Sequence, residues 1–430
     1  MPNPNLISHL PAQPKESDFQ KIADSADFRH PLIEAALYDY LGYRNVHLWQ
    51  RRWEFAIVCA ALKHIGCLEP DKVGVSFGAG YERPLYVLSR SVKTLFVTDL
   101  YEGSSIWPEA HTKDPREFVL KMAPVPCNEE SIVVLNMDMR HAVMEDASID
   151  FAYSISAIEH IGDDADFIAH FAEVSRILKD DGVYVLTTTS ILREETIRQP
   201  GTFLFSIHHL SRLASSAGLS PAPTFDARIH LERSNTPMFF PRTFETPDIF
   251  DYSCPNIFLL YAEVAMGACC LVLRKGQQAP PPLEVIGFQE SQATISSLVR
   301  GYLDQIWTRP VQVNVAKHSH LFVSNPEFFC CTELLAFGTD KIECVFQFGG
   351  GKTPLRSTIQ LFVQSNPTPE PAKIAHADHQ TVVLDLLPGQ MHRHRFVFET
   401  QEGFAYCVLA RVASGNKPEE VQLWLGRMQT

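Results

Sequence analysis

In "HLWQRRWEFAIVCAALKHIG" the apolar residues Trp49, Trp53, Ile57 and Ala60 return at helical spacing on one face, and Gly66 marks a stop. After it the pattern changes. Short apolar runs predict strands at Val73–Phe77, Thr94–Thr98, Ile132–Asn136, Phe151–Ser154 and Val183–Thr188, with helical stretches between them. That alternation predicts a parallel sheet covered by helices on both faces, a Rossmann-like α/β fold. Two later runs, "IFLLYAEVAM" and "ACCLVLRKG", are expected to close the sheet as antiparallel strands.

These patterns divide the chain. Residues 1–45, rich in Pro, Asp and Ser, read as an N-terminal extension lying over the surface. Residues 46–276 hold the α/β domain. The Pro-rich "QQAPPPLE", residues 277–284, reads as a linker. Residues 285–430 begin with a helix, "SQATISSLVRGYLDQIW", and continue as short runs such as "IECVFQFG", "STIQLFV", "TVVLDL" and "YCVLARV" separated by turn residues. An antiparallel β-sandwich or jelly roll is the expected architecture there.

Composition narrows the function classes. A chain of 430 residues is long enough for two or three domains. Its 37 Lys and Arg against 50 Asp and Glu give a net charge of −13, with no basic block to meet phosphates, so a nucleic-acid partner is not expected. There is no signal-peptide pattern and no apolar run of membrane-spanning length, which points to the cytosol. The 10 cysteines include the adjacent pairs Cys269-Cys270 and Cys330-Cys331 but no CxxC, so reduced thiols are expected. No metal-ligand spacing stands out, and no metal is expected. The absence of a G-x-S-x-G elbow leaves a hydrolase unsupported.

Candidate chemistry gathers at the strand ends. "VGVSFGAGYERP" runs a buried strand into a turn with Gly78 and Gly80, where backbone amides can approach a ligand. Asp99 ends the next predicted strand in "TLFVTDLYEG". A carboxylate there can accept hydrogen bonds from a ribose diol, although a strand-end Asp can equally be a solvated or capping residue. Asp138 follows the third strand in "LNMDMRHAV".

The combination of "GAG", "VTDLY", "MDMR", "SIDFAYSISAIEHIG" and "RILKDDG" resembles the class I S-adenosylmethionine-dependent methyltransferases, and in particular the methyltransferase type 11 pattern, over roughly residues 73–189. The resemblance implies S-adenosyl-L-methionine as cofactor. Gly78 and Gly80 would line its methionine part, Asp99 would hold the ribose, and Asp138 and Met139 would flank the adenine. Ser154 and Ser156 would border the methyl donor. Two positions depart from the family pattern: Gly74 stands where an acid is usual, and Ser76 where the first glycine is usual. Ser76 would then lie at the cofactor's amino-acid end, with Glu82 as the substitute acid. A dinucleotide fingerprint fails in "GAGYER", where Arg83 replaces a small residue, so NAD is disfavoured.

The wording around "SFGAGYERPLYVLS" and "SAIEHIG" is similar to enzymes found with glycan-assembly genes, which implies O-methylation of a saccharide or glycan-linked acceptor. A hydroxyl needs a base near neutral pH; His160 is the first candidate and Glu159 the second. The alternative for His160 is a packing role at a helix start. His208 and His209 read as structural, and "IHLERSNTPMFFPRTF" as either a lid or a packed loop. In the β-rich domain, Trp307, Phe328, Phe329, Phe346 and Trp424 could stack on sugars or fill the core, and the "QMHRHRF" histidines could share one strand face as a weak metal or anion site. Acceptor recognition and homodimer formation are both open to that domain. Competing readings are a methyltransferase-like scaffold without turnover and an NAD-dependent oxidoreductase.

Overall fold

The structure, a computed structural model, describes residues 6–44, 48–102, 111–199, 202–239, 257–261, 264–276, 282–308, 313–314, 328–331, 335–336, 341–349, 352–367, 375–400, 404–416, 418 and 420–427. The chain divides into two compact units: Met1–Thr236 with Cys254–Phe258 and Met266–Ile295, and Pro237–Ser253 with Leu259–Ala265 and Ser296–Thr430. Among the described residues, no helix is long and apolar enough to cross a membrane.

In the first unit the periodic run forms α1 (Gln50–His64), with Trp49 at its N-cap and Gly66 at φ +82° just beyond its end. A glycine in the left-handed region is the ordinary way to stop a helix. Burial does not keep to one face. It runs around the helix from Trp53 to Leu62 and includes Glu54.

The N-terminal segment explains the difference, because it packs into the interior instead of lying over the surface. Phe19, Ile22, Ala26 and Phe28 are buried, and Lys21–Ile22 forms β1. Lys21 and Asp27 make a fully buried ion pair at 2.5 Å, and Asp27 also accepts from Trp53 Nε1 of α1 at 2.8 Å. A buried charge is tolerable only when paired and hydrogen-bonded, which is why these polar residues sit inside.

The remaining elements that place the site are β2 (Val73–Phe77), α2 (Arg83–Leu88), β3 (Thr94–Asp99), β4 (Ile132–Asn136), β5 (Ile149–Ile155), α3 (Asp164–Ile177), β6 (Leu178–Ile191), β7 (Thr224–Asp226), β8 (Val264–Lys275) and β9 (Glu284–Ile286). The main run of the sheet has the order β9-β7-β1-β8-β6-β5-β2-β3-β4. Strands β2 to β6 pair in parallel, and β8 lies antiparallel on β6, from Met266 opposite Ile191 to Arg274 opposite Val183. β1 enters between β8 and β7, with Lys21 opposite Cys270 and Asp226.

Thus "ACCLVLRKG" is the antiparallel closing strand, continuous with the end of the run before it. Of the expected linker, residues 277–281 lie outside the described residues, while Glu284 begins β9, which pairs in parallel with β7. The order of strands reverses at β2, which has β3 on one side and β5 on the other. Ligands of open α/β sheets bind in the crevice beyond the carboxyl ends at such a point.

The second unit is an antiparallel sandwich. One sheet orders Val313–Asn314, Glu420–Arg427, Lys341–Gly349 and Met391–Glu399; the other orders Phe328–Cys331, Phe404–Gly415, Leu355–Pro367 and Ala375–Leu386. Both contribute to one core through Phe346, Phe348 and Phe396 on the first and Ile359, Leu361 and Val408 on the second. Alternate residues face inward, as two-layer packing requires. Phe346 is therefore core; the side chains of Trp307, Phe328, Phe329 and Trp424 lie outside the described residues. His392 and His394 share a strand face with ring centroids 6.4 Å apart, and His394 Nε2 is 3.0 Å from Gln380 Oε1.

Candidate functional site

β2 delivers Gly78 and Gly80 to the crevice with φ of +62° and +46°. A Cβ on Gly78 would fall 2.4 Å from Ala157 Cβ and 3.2 Å from Met139 Cε, so only glycine fits between these neighbours. The turn is fastened to β3 by two bonds. Ala79 N donates to Thr98 O at 3.0 Å and Gly80 N donates to Asp99 Oδ2 at 2.7 Å. Asp99 Oδ1 accepts from Leu100 N at 2.7 Å, and Tyr101 Oη donates to Gly80 O at 2.7 Å. Burial raises the Asp99 pKa, against the pull of the two backbone donors.

The next strand end sits against the same acid, with Met137 N donating to Asp99 O at 2.9 Å. Met139 is buried beside Gly78. Its carbonyl is 3.0 Å from Nδ1 of the buried His170, whose Nε2 is 2.9 Å from Tyr184 Oη. Burial lowers His170 to about 4, so the ring is neutral and holds Met139 by a donated N–H. Asp138 is gripped by Arg140, with Nη2 2.6 Å from Oδ2, while Arg140 Nη1 reaches Asp166 at 2.6 Å. That hydrogen bonding holds the Asp138 pKa low. Any further donor would share this carboxylate with Arg140.

On the other side of β2 the structure assembles a group that sequence spacing does not reveal. Arg51 Nη1 lies 3.4 Å from Glu54 Oε2, 3.5 Å from Glu82 Oε1 and 3.3 Å from Ile155 O. Ser156 donates from Oγ to Glu54 Oε1, and its backbone sits at φ +43°. A left-handed serine is strained, and such residues concentrate at functional sites. Burial pushes both carboxyls upward, Glu82 to about 8, with Arg51 opposing. The one sequence signal was a charged "RRWE" entering an otherwise apolar helix.

The remaining candidates separate. Ser76 and Ser154 are buried inside their strands, at 2% and 0% exposure, and Ser76 O accepts from Thr98 Oγ1 at 2.9 Å. Glu159, 2% exposed, accepts from Thr188 Oγ1 at 2.7 Å and from Thr189 Oγ1 at 3.2 Å. It braces the short turn Ile158–His160 against β6. His160 is half-buried on that turn, its N donating to Ala157 O at 3.2 Å.

Elsewhere, His209 Nδ1 is 2.8 Å from Thr196 Oγ1, a structural contact. The described part of "IHLERSNTPMFFPRTF" is a packed loop around the fully buried Asn235, while residues 240–244 lie outside the described residues.

Gly74, the absent acid, has a packing cause. A Cβ there would fall 2.2 Å from Phe151 Cζ, so the Phe151 ring occupies the space that a side chain would need.

The residues fit an S-adenosylmethionine cradle: a side-chain-free turn, an acid at each of the next two strand ends, and a buried thioether beside the turn. Residues 75–186 match the family described as a methyltransferase domain. No curated protein matches the chain. Among solved structures, the Streptomyces coelicolor A3(2) geranyl diphosphate C-methyltransferase is similar at 11% identity and TM-score 0.34, over 57% of this chain and 99% of that one. The Burkholderia thailandensis 1,6-didemethyltoxoflavin-N1-methyltransferase is similar at 16% identity and TM-score 0.34, over 60% and 92%. Residues 75–186 are thus similar to a methyltransferase domain.

Proposed function

We propose that the chain is an S-adenosylmethionine-dependent O-methyltransferase acting on a saccharide or glycan-linked acceptor. The observation that carries the reading is the single hydrogen-bonded unit of the Gly78–Gly80 turn and Asp99 at the point where strand order reverses. Asp99 holds the ribose diol through the lone pairs that Gly80 and Leu100 leave open. Met139 and Asp138 flank the adenine, and Gly78 and Gly80 let backbone approach the methionine part. Glu82 and Glu54, bridged by Arg51, stand at the amino-acid end and offer the acid that Gly74 lacks.

When bound, the cofactor supplies a methyl group already activated on a sulfonium. The protein's part is to align the acceptor and remove its proton. His160, on the turn beyond β5, accepts the hydroxyl proton, and Glu159 fixes that turn through Thr188 and Thr189.

Calorimetry of the full chain with S-adenosylmethionine, S-adenosylhomocysteine and NAD tests the cofactor. Binding of the first two and not the third is expected; NAD binding alone would replace the reading with a dehydrogenase. A panel of mono- and oligosaccharides then tests the acceptor by a one-methyl mass gain. Gain on an amine or carbon acceptor and on no saccharide would overturn the O-methyl assignment while leaving the cofactor intact.

A further inference from the structure

At the same carboxyl edge of the sheet, four strand positions from β2 and so roughly 19 Å away at ordinary strand spacing, three residues from distant parts of the chain converge. Asp24 follows β1, His230 follows β7, and His9 comes from the N-terminal segment; one ligand atom from each lies within 4.8 Å of the other two. We propose that His9, Asp24 and His230 bind one divalent transition-metal ion of the zinc class.

The donor set is built into the fold. Asp24 is fully buried, and its Oδ1 accepts from Asn235 Nδ2 at 2.9 Å and from Ala26 N at 3.1 Å, which fixes the carboxylate's direction. Its Oδ2 lies 2.6 Å from His230 Nδ1. Such an outer hydrogen bond on a ligating carboxylate is what orients metal sites. The His9 and His230 rings stack with centroids 4.1 Å apart and planes at 9°.

An ion pair alone would need only Asp24 and His230. His9 lies face to face on His230, so its ring must turn out of the stack to aim a nitrogen lone pair at a shared ion, to which it then adds a third donor.

Local charge also permits a cation. Lys21 is matched by Asp27 and Arg228 by Asp226, each within hydrogen-bond distance, while the ion-pair partner of Asp24 is His230, whose proton the metal would replace. Zn–N and Zn–O bonds of about 2.0–2.2 Å require the donors to draw together around a centre, opening the His230–Asp24 contact. The proton shared there leaves to solvent as the metal enters. Three protein ligands leave a fourth position for water. Both histidines are partly exposed, the His230 side chain to 18%, which gives the ion a path.

The experiment uses the full chain after dialysis against a chelator. Titration with zinc chloride should show one tight site, weakened at least tenfold in His9→Ala and in His230→Gln. Cobalt(II) should give visible ligand-field bands without a thiolate charge-transfer band. Zinc should raise the melting temperature of the wild type and not of His9→Ala, a half-buried position whose substitution leaves the fold intact when melting without metal is unchanged. No zinc site in the wild type, equal affinity in the variants, or a thiolate band from cysteine ligation would each overturn the proposal.

Discussion

The backbone N–H of Gly80 donates to Asp99 Oδ2 at 2.7 Å, so the glycine turn after β2 and the acid ending β3 move as one piece. Asp99→Asn places an amide where two backbone donors need acceptors, leaving one N–H facing another. S-adenosylmethionine affinity is expected to fall at least tenfold, with a loss of roughly 1–3 kcal/mol of stability from the mismatched donor. Calorimetry and urea unfolding measure both; unchanged affinity would detach Asp99 from the ribose.

Gly74→Asp restores the acid usual at that position but forces a Cβ to within 2.2 Å of the Phe151 ring. Overpacking of this kind costs about 1–3 kcal/mol, and a buried carboxylate adds to it. Unfolding midpoints should drop and cofactor affinity should not rise. A stable variant with tighter binding would show that Phe151 yields readily.

Glu82 has its folded pKa raised to about 8 by burial, while the unfolded chain titrates near the ordinary value of 4.5. Between those values the folded state holds more protons than the unfolded one, so this group makes stability fall as pH rises. Its contribution is fully present below the unfolded pKa and lost as pH passes through about 8. Glu82→Gln should therefore flatten the decline in unfolding free energy over that window, measured by urea titration at stepped pH; parallel curves for the two proteins would contradict the burial of a neutral acid.

His160→Gln should leave S-adenosylmethionine binding unchanged while turnover falls by about 10²- to 10⁴-fold, the usual contribution of a positioned base. Full turnover with normal binding would leave His160 as a packing residue.

Much of the frame was legible because periodicity survives where apolar residues decide: α1 and the five parallel strands lie close to where their patterns placed them. The N-terminal segment was misread because its interior position depends on polar partners. Lys21, Asp24 and Asp27 look solvated in sequence and are buried only because each meets a specific partner. Gly78, Gly80 and Asp99 sit at strand ends that can be counted along the chain, while their cofactor roles, and that of Met139, rest on the family resemblance. Arg51 and Glu54 were not legible, because they reach the crevice from the preceding helix and pattern gives no sign of it. His9, Asp24 and His230 escaped for the same reason, their spacing being set by the sheet and not by the chain.

The entry of β1 between β8 and β7 sets an order of events during synthesis. Lys21 pairs with Cys270, so the second residue pair of the sheet's middle cannot form until nearly 250 further residues have left the ribosome. At ordinary elongation rates that is roughly 10–50 s during which the Lys21–Asp27 segment can meet α1 through Trp53 but lacks its strand partner on β8. A version trimmed to begin at α1 would lack a strand that its own sheet needs.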